Sequence, residues 1–236
     1  MSASLGPREA RARFAWWRWR RLRLPSTPHL LEAVAIGLGL VLFIVLGRLY
    51  SAAPFLGFDE GGLALTRAAR SPALDAIVQR LTMLGAEALW FIWPPIVLLL
   101  LARRRVASAV AVTVVALGVH VWNDVLKALY QRARPSDLEG ALSVQSFSFP
   151  SGHAMAAGAV YGILALIAWR ELGGRARRIV IGLCCLLAAT VAVSRVYLGV
   201  HYPTDVVAGL AAGAVWAHVV VLGWRLAVLG WLRVRG

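Results

Sequence analysis

The sequence predicts an all-α polytopic membrane protein, with six transmembrane helices and one amphipathic helix lying on the extracytoplasmic surface. Three observations predict it. Of the 236 residues 60% are hydrophobic, and the mean hydropathy of +0.71 exceeds what a soluble domain of this size uses. Uncharged apolar runs recur at lengths that cross, or nearly cross, a hydrocarbon core of roughly 30 Å at about 1.5 Å per residue. The basic residues, which give a formal net charge of +14, sit in short clusters between those runs. Clusters of that kind fit an anionic leaflet and argue against nucleic acid, which would ask for one continuous basic face.

Residues 1–29 are polar and basic and contain Trp16-Trp17-Arg18-Trp19-Arg20-Arg21. Tryptophans among arginines suit a cytoplasmic interfacial segment on an anionic leaflet; a disordered tail and a cleaved signal are the alternatives. The run that follows, Leu31 to about Tyr50, is too long for a signal core and reads as the first span. Further spans are expected at about 86–102, 107–127, 153–169, 178–194 and 205–224, which gives a membrane domain over 30–228 and a short tail over 229–236. Between the first two spans, Ser71-Pro72 is a helix start. From there Leu74, Ile77, Val78, Leu81 and Leu84 recur at helical spacing, so residues 72–84 read as the surface helix. Trp90, Trp93 and Pro94-Pro95 predict a bent second span. Of the 25 Lys and Arg residues, 17 fall on the side that holds both termini and 8 on the other. Both termini are therefore expected in the cytoplasm.

The chemistry gathers on the opposite face. The stretch Pro150-Ser151-Gly152-His153 stands before an apolar helix. Ser151 is a good N-cap, Gly152 lets backbone approach a ligand, and the helix N-terminus favours an anion. A plain helix start with an incidental histidine is the bland alternative. Lys127 and Arg134 are seven residues apart, which places both on one helix face if the helix runs to Pro135; taken alone, the pair is better explained by snorkelling at a span end. Ser194-Arg195 precedes His201 and Asp205, with Gly199 and Pro203 breaking the helix between them. Asp205 is close enough in sequence to accept a hydrogen bond from His201 and fix its tautomer, which leaves the other ring nitrogen as a nucleophile or base. Lys127, Arg134 and Arg195 repel one another at one membrane edge unless an anion joins them, and Arg matches phosphate bidentately. Cations, a helix N-terminus, two histidines and a carboxylate together point to phosphoryl transfer. No His, Cys or acid cluster asks for a metal or another cofactor, and adjacent Cys184 and Cys185 read as packing.

In order and spacing these motifs resemble the type 2 phosphatidic acid phosphatase family, whose pattern is Lys-x6-Arg-Pro, then Pro-Ser-Gly-His, then Ser-Arg-x5-His-x3-Asp. Here Lys127 to Arg134-Pro135, Pro150 to His153, and Ser194-Arg195 to His201 and Asp205 complete all three. The resemblance implies a metal-independent phosphatase. His201 is implied as the nucleophile that becomes a phosphohistidine, with Asp205 orienting it. His153 is implied to protonate the leaving oxygen and then to activate water. Lys127, Arg134, Arg195, the Ser151 hydroxyl and the Gly152 amide are implied to hold the nonbridging oxygens. One histidine neutral and one protonated imply a bell-shaped pH profile. Among the other polar residues, His120 reads as a helix–helix contact, Asn123 and Asp124 lie near the cation motif, and Asp124 is a candidate partner for it. His218 reads as packing and His29 as interfacial. Asp59, Asp75, Asp137 and Glu139 read as solvated or paired charges of the outer loops.

The expected substrate is a lipid phosphate or diphosphate whose tails stay in the bilayer. Undecaprenyl diphosphate, phosphatidic acid, phosphatidylglycerophosphate and the phosphates of lipid A are the candidates by resemblance. The expected setting is a bacterial inner membrane with an extracytoplasmic site. A lipid-to-lipid phosphotransferase shares the first half-reaction. A lipid or anion transporter would instead carry charges near the midplane. Six spans exclude a soluble haloperoxidase, and oligomeric state is not legible.

Overall fold

In a computed structural model of the chain, residues 29–85, 89–135 and 146–235 are described, and their side chains over 30–85, 89–135 and 146–227. The aromatic-basic run 16–21, the side chain of His29, Asp137, Glu139 and the tail side chains lie outside the described residues. Among the described residues all regular structure is helical. In chain order the helices are α1 His29–Leu49, α2 Ala53–Ala68, α3 Pro72–Thr82, α4 Leu89–Ala102, α5 Val106–Tyr130, α6 Gly152–Glu171, α7 Gly174–Tyr197 and α8 Pro203–Arg235. A 3-10 turn over Met83–Gly85 extends α3.

Five helical stretches are long and apolar enough to cross a membrane: Leu30–Leu49, Val106–Tyr130, Gly152–Glu171, Gly174–Tyr197 and Pro203–Ala227. The second expected span is different. Helix α4 has 14 residues, about 21 Å at 1.5 Å per residue, short of a roughly 30 Å core. With Pro72–Gly85 it forms a pair bent by 43°, and that pair taken as one span makes up to six. If that pair is one span, the segment read as a surface helix is its other arm; if not, it is a separate short helix before α4. Its start is as expected: Pro72 opens the helix, and the Ser71 hydroxyl accepts from the Leu74 N–H at 3.3 Å. Helix α2, by contrast, arises in a stretch the sequence marked only as non-spanning.

Helix α6 is the centre of the bundle, packed on α5, α7 and α8. Its opening Ala-Met-Ala-Ala-Gly run explains why. Small residues let helix backbones close in, and in lipid that packing replaces the hydrophobic drive. A Cβ added at Gly158 would lie 2.6 Å from the Leu210 carbonyl oxygen, and one added at Gly213 only 2.1 Å from that of Met155. Helix α1 closes on α8 in the same manner, Gly39 meeting Val215. Large apolar side chains such as Leu38, Val41, Leu98, Leu186 and Val193 point outward, as a lipid-facing surface requires. His120 stacks on Trp90 with ring centroids 5.3 Å apart, the expected helix–helix contact between α5 and α4. Cys184 is buried and both cysteines are free.

At one end of the bundle the buried Glu32 of α1 accepts from Arg170 of α6 and, at 2.6 Å, from Arg225 of α8. Arg170 stands 18 residues along α6 from Gly152, about 27 Å away. This charge cluster pins three helices at the end remote from the motifs quoted above. Replacing Gly213 with Ala is expected to cost about 1–3 kcal/mol by overpacking the α6–α8 contact. Gly182→Ala, where a Cβ meets nothing within 4 Å, is expected to stay within about 0.5 kcal/mol. Thermal unfolding of both variants in detergent checks the difference.

Candidate active site

Three chain segments meet where α5 ends and α6 and α8 begin. Helix α5 stops at Tyr130, not at Pro135, because Gln131 takes a left-handed conformation (φ 46°). Lys127 is therefore on the helix and Arg134 on the extended segment after it, so the two do not share a helix face. They converge nonetheless. Lys127 Nζ and Arg134 Nη2 donate to the same hydroxyl, Ser146 Oγ, at 3.1 and 3.0 Å. Arg134 is further held by its Nε to the Ser146 carbonyl and its Nη1 to the Val200 carbonyl, both at 2.7 Å. Its Nη1 also lies 3.3 Å from His201 Nε2.

Pro150 to His153 forms the turn into α6. The Phe149-Pro150 peptide is cis, and the Ser151 N–H donates to the Asp205 carbonyl oxygen at 3.0 Å, which locks the starts of α6 and α8 together. Ser151 takes the N-cap position, but its side chain does not cap the helix. Its buried hydroxyl has no hydrogen-bond partner among the described residues. Gly152 has no room for a side chain, since a Cβ would lie 2.9 Å from Asn123 Oδ1. His153 lies within electrostatic reach of Arg195, His201, Lys127 and Arg134. Arg195 is buried on α7 and donates through Nη1 to Thr82 Oγ1 at 2.8 Å. The 3-10 turn presses on the same place: a Cβ on Gly85 would meet His153 Cβ at 3.2 Å. The arm before α4 thus backs the site.

After α7, Gly199 turns the chain with φ +68°, a conformation that favours glycine. His201 follows, 2% exposed. Pro203 opens α8, and Asp205 reaches back to the Tyr202 N–H at 3.0 Å, in the manner of a capping box. Asp205 does not bond His201 directly, because Nδ1 and Oδ2 are 3.7 Å apart. The Ser148 hydroxyl stands between them, 2.5 Å from Asp205 Oδ2 and 3.3 Å from His201 Nδ1.

Behind Asp205 lies a buried ionic network that the sequence reading missed. Arg132 donates to Asp205 Oδ1 at 2.6 Å, to Thr204 Oγ1 at 2.8 Å and to Asp59 Oδ2 at 2.7 Å. Its guanidinium is sandwiched between the rings of Tyr50 and Tyr202, 4.4 and 4.0 Å from their centroids. Asp59 also accepts from the Thr204 N–H at 2.8 Å and from its hydroxyl at 2.7 Å. Asp59 is paired, one of the two readings given for it, but it is buried on α2 and not in a loop. The hints in the sequence were an acid pair, Asp59-Glu60, and one further arginine, Arg132, between Lys127 and Arg134, each indistinguishable from a surface charge. Asp75, the other acid read as a loop charge, is paired on α3, with Arg70 at 3.0 Å.

The assembly holds three cations, a helix N-terminus with an unpartnered hydroxyl, and two imidazoles, an arrangement suited to a tetrahedral oxyanion. Burial pushes the His201 ring down to about 4, with Arg134 and Arg195 acting in the same direction and Asp205 opposing. The sign follows: between about pH 6.5 and 4 the unfolded chain takes up a proton that the folded ring refuses, so stability falls as pH drops through that window. In the ligand-free protein His201 is expected to stay neutral at pH 6. A nitrogen-15 titration of labelled histidine checks this, and a ring titrating near 6.5 contradicts it.

With the geometry in hand, comparison with known proteins is direct. The PAP2 superfamily model matches residues 123–228. The phosphatidylglycerophosphatase B of Bacillus subtilis is 34% identical over 158 residues, covering 64% of this chain and 76% of that protein. The lipid A 1-phosphatase of Rhizobium johnstonii is 32% identical over 225 residues, covering 84% and 82%. A solved structure of a transmembrane PAP2 type phosphatidylglycerolphosphate phosphatase from Bacillus subtilis superposes with a TM-score of 0.67 at 27% identity, over 84% of this chain and 96% of that one. Motifs, helical bundle and relatives agree, and the chain belongs to the PAP2 superfamily as an integral membrane lipid phosphatase.

Proposed function

We propose that this chain hydrolyses a lipid phosphomonoester or diphosphate through a phosphohistidine on His201, at the extracytoplasmic face of a bacterial inner membrane and without a metal. The carrying observation is the placement of His201. Its Nε2 faces Arg134 Nη1 at 3.3 Å, while its Nδ1 faces the Ser148–Asp205 pair. One nitrogen is thereby directed at the anion site and the other at a carboxylate. The charged side chains around Nε2 are cations, which suits phosphate oxygens and repels a metal ion.

In the first step the His201 Nε2 lone pair forms a bond to phosphorus as the bond to the leaving oxygen breaks. His153 gives that oxygen its proton, releasing a lipid alcohol from a monoester or a lipid monophosphate from a diphosphate. In the second, water attacks phosphorus, His153 takes its proton, and the N–P bond breaks to return neutral His201 and inorganic phosphate. Lys127, Arg134, Arg195, the Ser151 hydroxyl and the Gly152 amide hold the nonbridging oxygens. Stabilising those oxygens is most of what such a site must do. The orphaned Ser151 hydroxyl supports its part, since a buried unpaired hydroxyl costs about 1–3 kcal/mol that a ligand oxygen relieves.

The excess of Lys and Arg near both termini supports cytoplasmic ends and an outward site. Relatives acting on phosphatidylglycerophosphate, undecaprenyl diphosphate and lipid A, by their names, support those lipids and phosphatidic acid as the substrate class. Gathering of the cations at one end of the bundle supports hydrolysis or transfer over transport. The test is phosphate release from that panel by detergent-purified protein in excess EDTA. Wild type is expected to release phosphate, with a bell-shaped pH dependence, and His201→Ala to lose at least about 1,000-fold, as removal of a covalent nucleophile does. No release from any of the lipids by folded protein would contradict hydrolysis.

A further inference from the structure

Ser148 belongs to none of the three motifs, yet among the described residues its hydroxyl bridges the nucleophile and its carboxylate. The Asp205 Oδ2 to His201 Nδ1 separation of 3.7 Å is beyond hydrogen-bond range. Ser148 Oγ is 2.5 Å from that same oxygen and 3.3 Å from that same nitrogen. The residue is fully buried, and its backbone is fixed by donation from its N–H to the Arg132 carbonyl at 2.8 Å. Asp205 is fixed in turn by Arg132 and the Tyr202 N–H.

A serine hydroxyl has one proton and two lone pairs. At 2.5 Å from a carboxylate oxygen that proton belongs to the charge-assisted bond with Asp205. What Ser148 turns toward the imidazole is then a lone pair, so it can only accept. His201 must therefore carry its proton on Nδ1, and Nε2 is left with a free lone pair on the side of Arg134. A direct carboxylate contact would impose the same tautomer, but here the hydroxyl imposes it.

We propose that Ser148 is a positioning residue for the reaction. It relays Asp205 to His201 as Nδ1–H to Oγ–H to Oδ2, setting the tautomer and ring angle of the nucleophile and carrying the carboxylate's stabilisation to the ring as the N–P bond forms. No proton leaves the relay, because Nδ1 and Oγ keep theirs throughout. The inference rests on His201 as the nucleophile.

The test compares Ser148→Ala, Ser148→Thr, Asp205→Asn, the Ser148→Ala/Asp205→Asn pair and His201→Ala, with phosphatidic acid in detergent micelles. Ser148→Ala is expected to lower kcat roughly 10- to 100-fold, the range of one buried charge-assisted hydrogen bond, with KM within about twofold. Ser148→Thr, which keeps the hydroxyl, is expected to recover most of kcat. The double variant is expected to be no slower than Asp205→Asn alone, because the two act through one path. In nitrogen-15 spectra the His201 ring, a single Nδ1–H tautomer in wild type, is expected to become a tautomer mixture in Ser148→Ala. A purely structural serine would lower yield or stability and leave the tautomer alone. Wild-type kcat in Ser148→Ala, with His201→Ala inactive, overturns the relay and leaves the nucleophile standing. An active His201→Ala overturns both. Should Ser148→Ala not fold, the wild-type spectrum decides: an Nε2–H tautomer overturns the relay.

Discussion

The guanidinium of Arg132, buried between Asp59 and Asp205 and sandwiched by two tyrosine rings, is the contact on which the candidate-site end of this bundle depends. It joins α2, the segment after α5 and the start of α8, and it fixes the Asp205 carboxylate behind His201. Taking such charges out of water costs several kcal/mol per ion, and only good geometry offsets it. Here one guanidinium meets two carboxylates and a hydroxyl, while Thr204 and Tyr202 saturate the remaining acceptors. Removing a single partner would strand a buried charge. The network therefore admits one arrangement of the loops that carry Arg134, Ser148 and His201.

Packing beneath it serves the same end. Glycines along α6 and α8 bring the two helices into backbone contact, and the Ser151 N–H to Asp205 carbonyl bond joins their first turns. The Ser151–Gly152 start of one helix and the Asp205-bearing start of the other thus meet at one corner. Glu32, Arg170 and Arg225 do comparable work at the far end, so the bundle is pinned by buried charge at both rims and by small residues between.

How much of this was legible follows from what each feature requires. The motif positions were legible because phosphoryl-transfer chemistry demands particular residue types at particular separations along the chain. Lys127, Arg134, Ser151, Gly152, His153, Arg195, His201 and Asp205 all fall at the same corner. The positioning residues were not legible, because their roles exist only through contacts remote in sequence. Asp59 meets Arg132 across 73 residues and Arg195 meets Thr82 across 113. Helix α2 lies in a stretch that the sequence marked only as non-spanning. Gly62 lies under Pro203, where a Cβ would approach to 2.4 Å, so the glycine serves close packing. The end of α5 was misplaced by four residues because Gln131, not the proline, breaks the helix. The second span is the weakest inference from periodicity, since α4 alone is too short to cross and an apolar run does not reveal its bent pairing with the preceding helix.

The account turns on a covalent bond between His201 and phosphorus. Rapid quenching of wild type with phosphorus-32-labelled phosphatidic acid, under single-turnover conditions, tests it most directly. The expected result is label on the protein that survives alkali, is lost in acid, maps to His201 and decays as inorganic phosphate appears. Full product formation with no labelled protein at any time, or label on another residue, would contradict it.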